Sequence, residues 1–180
     1  MGFADQLTVA RAAAAPVVVL LYVWNFHGHD YWATGLFAVA MATDWFDGRV
    51  ARSSGRSSPL GSLLDPVADK LLVLSVLIVL IGQRVFPAWM VATIVARELL
   101  VSGLRLAALE RGVVMHARDL GKLKTWSQAT AAAVGGFAAA GAWDRSIAWW
   151  SLLVALVLTW LSGLDYARLA PGLLRGRAVA

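Results

Sequence analysis

Four aspartates carry the first sign of chemistry. Asp44 and Asp47 stand three apart, and Asp65 and Asp69 stand four apart, in one stretch that ends at Lys70. On a helix each spacing places both carboxylates on one face. The spacer between the pairs holds Gly48, Gly55, Pro59 and Gly61 with Arg49, Arg52 and Arg56. It reads as a helix end, a polar turn and the start of a second helix. Four converging carboxylates repel one another, so either some are protonated or cations sit between them. A donor set of oxygens, without His or Cys, favours a hard divalent ion such as Mg²⁺, Mn²⁺ or Ca²⁺. Two such ions about 3.5–4 Å apart would make a two-metal phosphoryl-transfer centre. Gly48 and Gly61 would allow close backbone approach to a ligand, and Arg52 would supply a cation for phosphate.

The elements that position these residues are apolar. Of the 180 residues, 59% are hydrophobic, and the mean hydropathy is +0.68. That exceeds what a soluble domain of this size needs and predicts an all-α integral membrane protein. Six transmembrane helices are expected, roughly Leu7 to Trp24, Tyr31 to Phe46, Gly61 to Gly82, Ala88 to Glu110, Leu123 to Trp143 and Ile147 to Leu169. The second delivers Asp44 and Asp47 at its end, and the third begins with Asp65 and Asp69. Pro16 falls inside the first span, Pro66 lies in the first turns of the third, and Pro171 with Gly172 is expected to end the sixth. Little chain is left for a separate soluble domain. Asp5 precedes the first apolar run without a compact basic region, so that span is expected to be retained rather than cleaved. The absence of cysteine excludes disulfides and thiolate zinc sites.

The formal charge of +5 could suggest nucleic acid, but the basic residues lie in short connections between apolar runs. That placement suits anionic lipid headgroups, and no nucleic-acid partner is expected. With six spans both termini share a side, and of the lysines and arginines only Arg84 and Arg145 fall on the other. The positive-inside rule then puts the termini and the aspartates in the cytoplasm. Trp24, Trp32, Trp89, Trp143, Trp149 and Trp150 gather at the opposite span ends, as interfacial anchors do. His27 and His29, two apart in a glycine-containing turn on that side, read as a solvated loop rather than as metal ligands. Within the fourth span Arg97, Glu98 and Arg105 stand out, because charges inside a span face a cavity or a partner. A buried Arg97–Glu98 or Glu98–Arg105 pair is one reading, and a ligand-binding role for the arginines is the favoured one. Lys122, Thr125 and Gln128 lie along the first turns of the fifth span. Its alanine- and glycine-rich faces allow close packing within or between subunits.

The run Asp44-x-x-Asp47-Gly48-x-x-Ala51-Arg52, then eight residues, then Gly61-x-x-x-Asp65-x-x-x-Asp69 resembles the complete signature of the CDP-alcohol phosphatidyltransferase family. The resemblance covers nearly the whole chain, so residues 1–180 are expected to form a single transmembrane domain with that family's fold. Gln6-Leu7-Thr8-x-x-Arg11, Arg97-Glu98-Leu99 with Arg105, and Gly121-Lys122-x-Lys124-Thr125-x-x-Gln128 are similar to the branch that transfers to glycerol 3-phosphate. Asp5 stands where that branch usually has asparagine, and Pro59-Leu60-Gly61 replaces a commoner Phe-Gly pair. The resemblance implies two divalent cations, Mg²⁺ or Mn²⁺, held by Asp44, Asp47, Asp65 and Asp69. It implies CDP-diacylglycerol bound by Gly48, Ala51, Arg52, Ser58 and Gly61, with Asp5, Gln6 and Thr8 nearby. Asp69 would be the general base that activates an acceptor hydroxyl, and CMP would leave. Arg97, Arg105, Arg118 and Lys122 would bind a phosphate on the acceptor, for which glycerol 3-phosphate fits. A homodimer in the cell membrane, with its site facing the cytoplasm, is the family expectation.

Other readings stay open. Inositol phosphate or phosphatidylglycerol could be the acceptor, whereas serine would leave the basic residues without purpose. A divalent-cation transporter would need carboxylates near mid-span and a second acidic set at the opposite end. A purely structural subunit leaves four clustered aspartates unexplained.

Overall fold

The structure is a computed structural model that describes residues 3–54, 59–110 and 119–174, with side chains described at residues 10, 12–43, 70–108 and 121–164. Its regular elements are six α-helices: α1 (Phe3–Val23), α2 (His29–Ser54), α3 (Pro59–Gly82), α4 (Ala88–Glu110), α5 (Asp119–Ala139) and α6 (Arg145–Leu174). No strand occurs among the described residues.

Local chemistry explains most of the boundaries. Gly28 and Gly141 take φ of 75° and 79° in the turns before α2 and α6, a left-handed conformation that glycine adopts without a Cβ penalty. Asp144 caps α6, its Oδ1 accepting the Ser146 N–H at 2.7 Å. After α3 the chain turns through Arg84, whose φ is 56°. There the Arg84 N–H donates to Ile81 O at 2.9 Å and the Val85 N–H to Leu80 O at 3.0 Å. Those bonds satisfy carbonyls that the helix end would otherwise leave open.

The helices run alternately up and down. Gln83, just past α3, donates from Nε2 to Asp30 Oδ1 in the first turn of α2 at 2.8 Å. Tyr22, at the end of α1, shares a buried 2.9 Å hydrogen bond with Thr34 of α2. Gly136 of α5 faces those two side chains, and a Cβ on neighbouring Gly135 would come within 2.5 Å of Phe86. One end of the bundle therefore gathers the ends of α1, α3 and α5 with the starts of α2, α4 and α6. The small-residue face of α5 is used inside the subunit: Ala129, Ala131, Ala132 and Ala138 are buried, and α5 packs on α2, α3 and α6. Val18, Phe37, Leu72, Leu77, Met90, Ile94 and Leu152 fill the core.

The expected spans map onto the six helices with three corrections. α2 continues eight residues past Phe46, because the polar motif that follows still has helical propensity. α5 begins at Asp119 and ends at Ala139, so the residues before Trp143 form the turn rather than the span. α6 does not stop at Pro171 and Gly172 but reaches Leu174. Arg145, expected in the turn, opens that helix.

The surface is unusual for a water-soluble bundle. Leu20, Trp32, Ile78, Leu99, Leu100, Trp126, Val157 and Leu164 are exposed on six different helices, while Arg97, Glu98, Lys124 and Gln128 are buried. Among the described residues one helix is long and apolar enough on its own to cross a membrane, over Arg145–Leu164. Ala12–Val23 and Lys70–Gly82 are shorter apolar stretches.

Candidate active site

The aspartates lie on the helices that the sequence assigned to them. Asp44, Asp47, Gly48, Ala51 and Arg52 occupy the last half of α2, and Gly61, Asp65 and Asp69 the first half of α3. Asp5, Gln6 and Thr8 are in the first turns of α1. The side chains of all these residues, and Ser58 and Arg118 entirely, fall outside the described residues.

The Asp30–Gln83 hydrogen bond nevertheless fixes the register of α2 against α3. Asp44 is fourteen residues beyond Asp30, and Asp69 is fourteen residues before Gln83. At ~1.5 Å rise per residue both stand about 21 Å from that contact. Asp47 and Asp65 are likewise within one residue of a common level. The two pairs thus occupy the same height on antiparallel helices, at the end away from Trp24, Trp32, Trp89 and Trp143.

A described polar cluster begins at the residue after Asp69. Lys70, next to Asp69, donates to Ser102 Oγ at 2.5 Å and lies 3.6 Å from Glu98 Oε2. Arg97 Nη1 reaches Glu98 Oε1 at 2.9 Å, and Arg97 Nη2 reaches Ser162 Oγ of α6 at 3.0 Å. Lys124 of α5 hydrogen-bonds the same Glu98 Oε1. Gln128 Nε2 bridges Glu98 Oε1 at 3.2 Å and Thr159 Oγ1 at 2.7 Å. One carboxylate on α4 thereby ties α3 and α5 together, and Arg97 and Gln128 extend the network to α6.

The basic residues expected at an acceptor site divide accordingly. Arg97 is buried in this cluster, Arg105 is half-buried, and Lys122 is exposed on the outside of α5. Arg97 and Glu98 do pair, as one reading held. The sequence reading left Lys70, Lys124 and Glu98 out of the site. Lys124 and Gln128, four apart just before an alanine-rich run, are the available signal, because that spacing puts two polar groups on one helix face.

At the opposite end a cavity of about 590 Å³ is lined by residues including Arg84, Arg145 and Trp149. Its lining among the described residues includes no acidic side chain.

With this geometry, comparison with known proteins is direct. The CDP-alcohol phosphatidyltransferase family model matches residues 1–161. The chain belongs to the CDP-alcohol phosphatidyltransferase family. Within it, the chain is 39% identical over 137 residues to the CDP-diacylglycerol–glycerol-3-phosphate 3-phosphatidyltransferase of Bacillus subtilis, covering 69% of this chain and 70% of that protein. It is 37% identical over 132 residues to the Escherichia coli K12 protein of the same name, covering 71% and 72%. It is also 37% identical over 169 residues to a probable phosphatidylglycerophosphate synthase of Mycobacterium tuberculosis H37Rv, covering 91% of this chain and 78% of that protein.

Proposed function

We propose that this protein transfers the phosphatidyl group of CDP-diacylglycerol to glycerol 3-phosphate, forming phosphatidylglycerophosphate and CMP. The observation that carries the reading is the shared height of Asp44/Asp47 and Asp65/Asp69 on two antiparallel helices, set by the Asp30–Gln83 contact. The names of the Bacillus subtilis and Escherichia coli relatives support the same donor and acceptor.

Asp44, Asp47, Asp65 and Asp69 would hold two divalent cations, Mg²⁺ or Mn²⁺, for which an all-oxygen donor set is suited. Bound there, such ions would supply the positive charge that neutralises the pyrophosphate and the departing CMP. Arg52 would pair with the donor's phosphates, with Gly48, Ala51, Ser58 and Gly61 around the nucleotide and Asp5, Gln6 and Thr8 beside it. Asp69 would take the proton of the acceptor's hydroxyl as that oxygen attacks the diacylglycerol-bearing phosphorus. The phosphate that the acceptor carries would meet the basic end of α4, where Arg97 and Arg105 lie, with Arg118 and Lys122 on the following segment.

The whole chain is read as one transmembrane domain of six spans in the cell membrane, with its site on the cytoplasmic side. The apolar exterior of every helix and the charged interior around Glu98 support this, since that is the reverse of the order water imposes. A homodimer is the reading that the family resemblance supports.

The test is an acceptor panel. Purified protein is given CDP-diacylglycerol, Mg²⁺ or Mn²⁺, and radiolabelled glycerol 3-phosphate, inositol phosphate or phosphatidylglycerol. Metal-dependent CMP release with labelled phosphatidylglycerophosphate is expected. Release with inositol phosphate alone would reassign the acceptor, and no release under any condition would remove the transferase reading.

A further inference from the structure

Glu98 has no part in the reaction just described, yet it is 2% exposed and is the anion at the centre of three cations. Its Oε1 accepts from Arg97, Lys124 and Gln128. Among the described residues its Oε2 has no hydrogen-bond donor, and it faces Lys70 Nζ at 3.6 Å. Among the described side chains, one negative charge answers three positive ones. Burying such an excess is unfavourable unless an anion arrives to share it. Glu98 cannot bind that anion itself, because like charges repel. It can hold the cations where the anion needs them. Lysine side chains are long and flexible, and without a central carboxylate Lys70 and Lys124 would swing apart. Lys70 follows Asp69 directly in α3, so the cluster begins one residue along the chain from the position read as the general base.

We propose that Glu98 is a positioning residue, drawing Arg97, Lys70 and Lys124 into a net-positive cluster that receives the phosphate of the acceptor. The proposal rests on the glycerol 3-phosphate reading and adds Lys70 and Lys124 to the acceptor site. The partial pairing is the central feature: a carboxylate shared among several donors fixes their spacing while leaving most of their charge unanswered. Gly163 shows how closely Arg97 is placed, since a Cβ there would sit 3.0 Å from the Arg97 Nε.

The test uses the full chain in detergent with each substrate varied separately. Glu98→Gln should raise KM for glycerol 3-phosphate by roughly tenfold or more, the effect of losing a charge-assisted hydrogen bond. KM for CDP-diacylglycerol should stay within about twofold. Glu98→Asp should recover part of the loss. Inorganic phosphate should inhibit the wild type competitively against glycerol 3-phosphate, and Glu98→Gln more weakly. A purely structural carboxylate would lower the melting temperature and leave the two KM values in their original ratio, which overturns the proposal. Lys70→Gln and Lys124→Gln give an arm that does not depend on the fold of Glu98→Gln. Both should raise the same KM, and a normal value in both overturns the proposal as well. The wild-type arm reports on the underlying reading: wild type that releases no CMP with glycerol 3-phosphate refutes the acceptor itself, whatever the variants do.

Discussion

Gln83 and Asp30 meet through a hydrogen bond of 2.8 Å between the end of α3 and the start of α2. That contact sets how far along each helix the four aspartates lie. Both groups are only partly buried, so the bond contributes about 1 kcal/mol. A double-mutant cycle with Asp30→Ala and Gln83→Ala, read by thermal unfolding in detergent, should return a coupling of about that size. Additive effects would mean that the register is held elsewhere.

Asp69→Asn keeps the size of the side chain and removes its basicity. Turnover should fall by about three orders of magnitude or more while CDP-diacylglycerol binding persists. Retained turnover would take Asp69 out of the role of base. EDTA should abolish CMP release from the wild type, and Mg²⁺ or Mn²⁺ should restore it.

Gly136 tests the packing of α5. A Cβ there would collide with Thr34 Oγ1 and with the Tyr22 hydroxyl, two groups already tied to each other at 2.9 Å. Neither can retreat without breaking that bond. Gly136→Ala should therefore destabilise by about 1–3 kcal/mol, whereas Gly103→Ala, where nothing lies within 4 Å of the added carbon, should leave the melting temperature unchanged or raise it. Equal melting temperatures for both variants would contradict the close approach.

Asp144 gives a pH dependence outside the spans. The Ser146 backbone N–H, donating at 2.7 Å, holds its carboxyl below the usual carboxylate range. A depressed folded-state value means that the stabilisation is complete above the ordinary carboxylate pKa. It is lost as the pH falls through the depressed one. Asp144→Ala should lower the melting temperature slightly at neutral pH, and the difference from wild type should close in acid. A gap that persists unchanged in acid would show that the cap does not act through the ionised carboxylate.

Much of this architecture could be read from residue order. The fourth span, Ala88–Glu110, matches α4 residue for residue, because Pro87 precedes it and a polar, glycine-containing connection follows. The aspartate motif was legible because its spacings are helical and local. Two kinds of information were not. The end of α6 differs because a proline removes one N–H bond and crowds the preceding turn, which predicts a stop, yet the chain stays helical through Pro171 to Leu174. Lys124 was passed over because its partner, Glu98, is 26 positions away, and no periodicity within a single helix points to a partner on another. The small residues of α5 allowed packing inward or outward, and only the position of Tyr22, Thr34 and Phe86 decides for inward.

The stitching of Tyr22, Thr34, Asp30, Gln83 and Phe86 closes one end of the bundle. In the proposed membrane setting the lipid donor would slip in sideways between helices, while the soluble acceptor approaches from the opposite face. Two reactants of opposite solubility would thus reach one point by perpendicular routes, and neither would obstruct the other's entry.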